Sequence, residues 1–510
     1  MSMLFSRRQV LASGVAATML AGLPRARAAT GSKRLTAGTR VIDVNGKPAK
    51  VFHLTGPDGR PGLRVAAGER FQAQLVNETG VPTIVHWHGQ LPPWTQDGFP
   101  WPQTPSLGPG VTHEYDFAPI PGTYWMHSHH GLQEQSLMTA PLIVRDVAEA
   151  QEDRQEIVLM LHDFSFRAPD ELLAGLTRTS VAAAGGMAGM TENVPAAMAG
   201  TTMPHATMSM SSGMGGMQMS GSSMMSGSTS MQGMGSMHMD LNDINYDAFL
   251  ANDRTLTDPE IVRVERAGRV RLRVINGASS SQFWLDLGAL TGRVVAVDGH
   301  GVIPVSGRRF PIAIAQRLDI LVDLPDAGAF PVTAELEGTG HRTGIILATS
   351  GASIIRLPGM VSDMAKPVDN SLEAQLRATA PLASRKPDVV QQIALAGGMQ
   401  PYAWSLNGEF WPKITPLMLS KGQRVEIELI NHSPMAHPMH LHGHSFQVVA
   451  VNGRSVNGAV RDTVLVEPMP GSVRIAFDAN NPGRWAFHCH NLYHMATGMM
   501  TEFRYEGIAV

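Results

Sequence analysis

One cysteine, Cys489, occurs in 510 residues. No intrachain disulfide is possible, so the disulfide-stapled small scaffolds are excluded. Charge is sparse and nearly balanced: 16% charged residues and a net charge of −3 with histidines neutral. That balance offers no electrostatic case for nucleic acid or for an anionic membrane surface. Past the N-terminus no apolar run is long enough to span a bilayer. Helical periodicity is scarce as well. What is plentiful is punctuation, with 52 Gly and 34 Pro cutting the chain into short runs. Residues 40–44, 51–55, 63–66 and 70–77 read as strands between turns, a pattern that predicts all-β sandwiches or Greek-key barrels. The length suits about three domains at ~150 residues each, and 43% hydrophobic content is ample for packed cores.

The N-terminus reads as a targeting segment. Ser6-Arg7-Arg8-Gln9-Val10-Leu11 precedes a mildly apolar run at 11–23, and Ala26-Arg27-Ala28 supplies a small-residue cleavage site. Residues 1–28 are expected to be removed, with Ala29 the mature start. The paired arginines resemble a twin-arginine export signal, although Val10 stands where that pattern prefers Phe and no Lys follows. The alternative is an ordinary secretory signal. The expected address is the bacterial periplasm or outside the cell, reached through the twin-arginine machinery.

The chemistry concentrates near the C-terminus, in Gly483-Arg484-Trp485-Ala486-Phe487-His488-Cys489-His490-Asn491-Leu492-Tyr493-His494, followed by Gly498-Met499. A strand over 485–490 would point His488 and His490 one way and Cys489 the other. One short strand would then offer a thiolate to one metal and two imidazoles to another. A thiolate, two imidazoles and a weak thioether are the ligand set of a blue-copper electron-transfer site. The bland alternative is a buried free cysteine, but partners for both faces exist elsewhere. They are His437-Pro438-Met439-His440-Leu441-His442, His86-Trp87-His88 and His127-Ser128-His129. Together with the Cys489 stretch, these motifs hold ten of the 20 histidines, too many for one zinc, which takes four ligands.

The chain resembles a three-domain multicopper oxidase, the family of laccases, ascorbate oxidases and bacterial copper-resistance oxidases. All four copper motifs are present in order. The resemblance implies that His437, Cys489, His494 and Met499 hold the type 1 copper. It implies His86 and His440 for type 2, and His88, His127, His129, His442, His488 and His490 for the type 3 pair. The resemblance also implies about four copper ions in all. It further implies that Asp97, otherwise a turn aspartate before Gly98, delivers protons to reduced dioxygen. Many relatives carry a second acid beside the Cys motif, where this chain has Leu492, Tyr493 and Met495. That neighbourhood resembles the copper-resistance branch more than fungal laccases.

An internal repeat accounts for the layout. Leu75-Val76-Asn77-Glu78-Thr79 leads into His86-Trp87-His88-Gly89 as Leu429-Ile430-Asn431-His432-Ser433 leads into His440-Leu441-His442-Gly443. Pro121-Gly122 before His127 mirrors Pro482-Gly483 before His488. A middle copy, Val274-Ile275-Asn276-Gly277, lacks the histidine pairs. The expected plan is three cupredoxin-like Greek-key sandwiches at 29–148, 149–360 and 361–510, the second metal-free and bridging the others.

The second domain carries an insertion at about 181–240 rich in Gly, Ser and Met. Roughly half of the 31 methionines fall at 187–239, too little core-forming content to pack. A disordered linker would not need methionine, whereas thioether sulfur is soft and selects Cu(I). The sequence therefore reads as a monomeric oxidase that passes electrons one at a time from Cu(I) through Cys489 to dioxygen. The alternatives are a laccase-like oxidase of phenols or other organic reductants, and a periplasmic copper-storage protein. Storage fits less well, because it needs no open trinuclear site.

Overall fold

Short strands with one apolar face must bury that face against a second layer. The computed structural model describes residues 31–184 and 241–508. The expected signal segment and residues 185–240 of the Met-rich insertion lie outside them. Among the described residues the chain solves the burial problem three times over, with six sheets that pack as three two-sheet sandwiches.

The first sandwich faces Lys47–Thr55, Lys33–Val44, Phe71–Asn77 and Thr112–Phe117 against Leu63–Val65, Thr139–Val144, Gly122–Ser128 and Val85–His88. Phe71, Leu75, Trp87, Met126 and Leu142 fill the space between. The second sandwich packs a six-stranded sheet on a five-stranded one, between Gln155–Phe164 and Arg342–Ala348. In the third, one sheet holds Val389–Met399, Arg424–Asn431 and Ser472–Asp478. The other places Arg484–Cys489 between Met500–Tyr505 and His437–Leu441.

The repeated asparagine has a structural cause. Asn77, Asn276 and Asn431 each end a strand that runs parallel to the first strand of its sandwich. Each is buried. Each side chain accepts from the backbone N–H two residues on, at Thr79, Ala278 and Ser433, forming Asx turns. Each amide also donates back across the loop, Asn77 to Val81 O at 2.8 Å and Asn431 to Met435 O at 2.7 Å. The motif therefore staples the loop that leads into the next strand, with or without histidines there.

Two α-helices occur among the described residues, Pro169–Ala184 and Leu492–Ala496. The first begins with Pro169 and carries Asp170 and Glu171 in its first turn, both suited to a helix N-terminus. Leu172, Leu173 and Leu176 dock it on the core of the third sandwich. The helix runs to Ala184, over the first residues of the expected insertion at about 181–240. The run Val181-Ala182-Ala183-Ala184 continues the helix, as the high helix propensity of alanine favours.

Candidate metal centres

His86 lies directly opposite His127 on adjacent antiparallel strands of the first sandwich. His440 lies directly opposite His488 in the third, where Met439 faces Cys489. The sequence repeat is thus a repeat of register, and the two histidine faces meet across the interface. His88 and His440 stack with ring centroids 3.7 Å apart, and His86 and His442 with centroids 3.9 Å apart. His442 Nε2 is 3.0 Å from His488 Nε2. His127 Nε2 is 3.4 Å from both His88 Nδ1 and His490 Nε2. Ligand atoms gather within 4.8 Å in the sets His88/His127/His490, His129/His442/His488 and His86/His440/His442, each drawing on both sandwiches. A further such set, His86/His127/His129, lies within the first.

These imidazoles are poor proton acceptors. Burial, then repulsion from neighbouring rings, holds His127, His129, His440 and His442 well below the usual histidine range. Burial pushes His488 down to about 4. Neutral rings keep a lone pair each. His86 Nε2, His129 Nε2 and His440 Nε2 are buried with no hydrogen-bond partner, and each such orphan costs about 1–3 kcal/mol. Metal ions accepted by these nitrogens would remove that cost, and an all-imidazole donor set suits copper. The residues fit the group.

Buried carboxylates surround the cluster. Asp97 Oδ2 accepts from His442 Nδ1 at 2.8 Å, and the Asp97 carbonyl accepts from His86 Nδ1 at 2.8 Å. Gly98 makes this possible: its φ is +84°, and a Cβ there would lie 1.8 Å from Val85 O. Asp462 Oδ1 accepts from His88 Nε2 at 3.0 Å, leaving Nδ1 of that ring for the cluster. Burial raises the Asp462 pKa, against the pull of the Arg317 guanidinium that pairs with it.

The second centre surrounds Cys489. His437 Nδ1 and His494 Nδ1 lie 3.6 and 3.7 Å from its Sγ, and 3.1 Å from each other. Burial pushes the Cys489 thiol pKa up, so a metal must displace its proton on binding. The short helix Leu492–Ala496, capped by Asn491, delivers His494. Ser433 accepts from His437 Nε2 at 2.6 Å and fixes that ring. Trp404 stacks on His494 with centroids 3.9 Å apart. Met499 is buried in the same core, its carbonyl accepting from the Cys489 N–H at 3.0 Å. His488 and His490 flank Cys489, so main chain joins the two centres. The His488 Nδ1–H also donates to Cys489 O at 3.0 Å.

Every histidine singled out in the sequence, with Cys489, Met499 and Asp97, falls in one of these two neighbourhoods. Sequence reasoning missed Asp462, Glu134, Asp243, Ser433 and Trp404. Asp462 had a signal, a charge pair Arg461-Asp462 before the apolar run 464–466. Asp243 had none. Its Oδ2 lies 3.4 Å from His494 Nε2 and accepts from Asn491 Nδ2 at 2.6 Å.

Linked β-sandwiches that set a buried Cys–His group beside a histidine cluster define a class of copper protein. Multicopper oxidase family profiles match residues 37–149, 202–357 and 384–507. The chain is 31% identical to multicopper oxidase MmcO of Mycobacterium tuberculosis, over 98% of this chain and 97% of that one. It is 27% identical to copper resistance protein A of Escherichia coli, over 92% of each. Among solved structures it is similar in fold to Fet3p, a multicopper oxidase that functions in iron import, with a TM-score of 0.70 at 19% identity, covering 93% of this chain and 90% of that one. The laccase from Botrytis aclada gives 0.69 at 21% identity, covering 94% and 88%. The chain belongs to the multicopper oxidase family. It is an oxidoreductase, and its cofactor is copper.

Proposed function

We propose that the enzyme couples one-electron oxidation of Cu(I) to the four-electron reduction of dioxygen to water, as part of copper tolerance outside the cytoplasm. Four cuprous ions, one dioxygen and four protons give four cupric ions and two waters. The supporting observation is where the methionine tract ends. Residues 187–239 run into Asp243, whose carboxylate lies 3.4 Å from His494 Nε2. The residue four positions beyond the tract thereby lies beside an imidazole that would hold the electron-accepting copper. The names of copper-resistance relatives agree with this reading.

Bound copper supplies the one-electron redox chemistry. In this reading His437, Cys489, His494 and Met499 hold one ion, and the eight remaining histidines hold about three more on imidazole nitrogen. Cys489 and its neighbours His488 and His490 give electrons a continuous covalent route. Trp404 and the surrounding core keep water from the thiolate. Asp97 orients His86 and His442 and delivers protons to reduced dioxygen. The middle sandwich bridges the outer two and binds no catalytic copper. The protein is exported by the twin-arginine route and acts as a monomer in the periplasm or outside it.

The test is steady-state dioxygen consumption on Cu(I) and on a phenol, for the parent and for a deletion of residues 187–239. The deletion is expected to stay blue and to oxidise the phenol at least as fast. It should need more Cu(I) to saturate. Replacing the tract methionines with leucine should act like the deletion. If the leucine protein handles dilute Cu(I) as well as the parent, the tract is a linker. The laccase-like reading, favoured by the laccases among its relatives, then leads.

A further inference from the structure

Three buried carboxylates touch the histidine cluster, and each faces one imidazole from the first sandwich and one from the third. Asp97 faces His86 at 3.3 Å and His442 at 2.8 Å. Asp462 faces His88 at 3.0 Å and His440 at 3.6 Å. Glu134 completes the series: its Oε2 lies 2.7 Å from His127 Nδ1 and its Oε1 lies 3.9 Å from His490 Nδ1. No family motif quoted above includes Glu134.

Glu134 sits in the turn that follows the strand Gly122–Ser128, and its side chain is 2% exposed. No Lys or Arg salt bridge to it is found among the described residues. An isolated buried carboxylate costs several kcal/mol, so its retention here needs a partner. His127 Nδ1, Glu134 Oε1 and His490 Nδ1 are all buried without a hydrogen-bond partner, the His127 ring N–H not pointing straight at Oε2. Hydrogen bonds at such sites often straighten only when the ligand they serve is bound.

The tautomer carries the argument. A carboxylate on the Nδ1 side of a ring favours the proton there, which leaves the lone pair on Nε2. For His127 and His490 those Nε2 atoms are 3.4 Å apart and face one gap, which His88 Nδ1 also lines at 3.4 Å from His127. We propose that Glu134 is the positioning residue of the metal position between His88, His127 and His490. It accepts the Nδ1–H of His127 and sits on the Nδ1 side of His490, so one carboxylate sets the tautomer of a ring from each sandwich. This rests on reading the cluster as a copper site.

The test compares the copper-loaded parent with Glu134→Gln and Glu134→Ala. Copper per chain is followed against rising chelator, alongside the electron paramagnetic resonance signal. The blue absorption from Cys489 and the melting temperature serve as internal controls. Glu134→Ala should bind copper about 10–100-fold more weakly at the cluster, with altered resonance and the blue absorption intact. Glu134→Gln keeps one acceptor but turns an NH2 toward the second ring, and should fall between. If both variants hold copper and give the same resonance as the parent, the proposal is overturned. It is also overturned if both lose the blue absorption together with the cluster copper, because Glu134 would then be a general structural group. A parent that binds copper only at Cys489 would instead refute the copper reading of the cluster.

Discussion

His88 of the first sandwich and His440 of the third lie face to face, with ring centroids 3.7 Å apart and planes within 15°. Neither sandwich holds the cluster alone. What keeps the rings in contact is therefore part of the site. Arg317 of the second sandwich is fully buried and pairs with Asp462, and it donates to Thr123 O of the first sandwich at 3.3 Å.

Arg317→Met should break this lock. It would leave Asp462 buried without its cation, at a cost of about 3–5 kcal/mol. Urea unfolding should show that loss, and copper content at the cluster should fall because Asp462 no longer holds His88. A loss below about 1 kcal/mol would show that other contacts fix the interface.

Cys489→Ser should abolish the blue absorption and turnover while copper remains at the histidine cluster, because a hydroxyl cannot replace the thiolate. A serine protein that stays blue would rule out this cysteine as the ligand. Met499→Leu should keep the metal and shift its potential, readable by redox titration.

Asp97→Asn should slow reoxidation by dioxygen and leave reduction by substrate almost unchanged. Asp97 touches His86 and His442 and stands away from Cys489. Rapid mixing separates the two half-reactions. Equal slowing of both, or of neither, would leave Asp97 as a turn residue. Loss of copper would make it an orienting group alone.

The copper-free protein should lose stability steeply as pH falls below about 6.5. Its buried histidines have folded pKa values below the unfolded one, so the unfolded chain binds the extra protons. Each histidine held neutral contributes up to about 1.4 kcal/mol per pH unit. That stability is present above the unfolded pKa and is lost as pH falls toward the folded one. Glu134 and Asp462, whose pKa values are raised, act in the opposite sense but are outnumbered. Melting temperatures between about pH 7.5 and 5.5 test this, and a flat profile would show that the rings protonate without strain.

Much of this was legible in residue order. Alternation and turn residues predicted the strands, and the four histidine motifs supplied the imidazoles that the fold gathers beside Cys489 and across the interface. Strand ends were less legible. The first strand begins at Lys33 rather than 40, because its start is held by parallel pairing with Phe71–Asn77. The helix Pro169–Ala184 was hidden because its second half, residues 177–184, shares the Thr, Ser and Ala of the insertion after it.

Residue types and spacing alone determined which groups can bind metal, since a strand's two-residue period sets His-x-His on one face and Cys489 on the other. Tertiary structure decided which nitrogens meet and which acids attend them. Asp97 reaches His442 across 345 residues, and Thr463 reaches His88 across 375. No local period encodes such pairs. They arise when two copies of one register dock face to face, and burial then removes the water that would otherwise screen every charge between them.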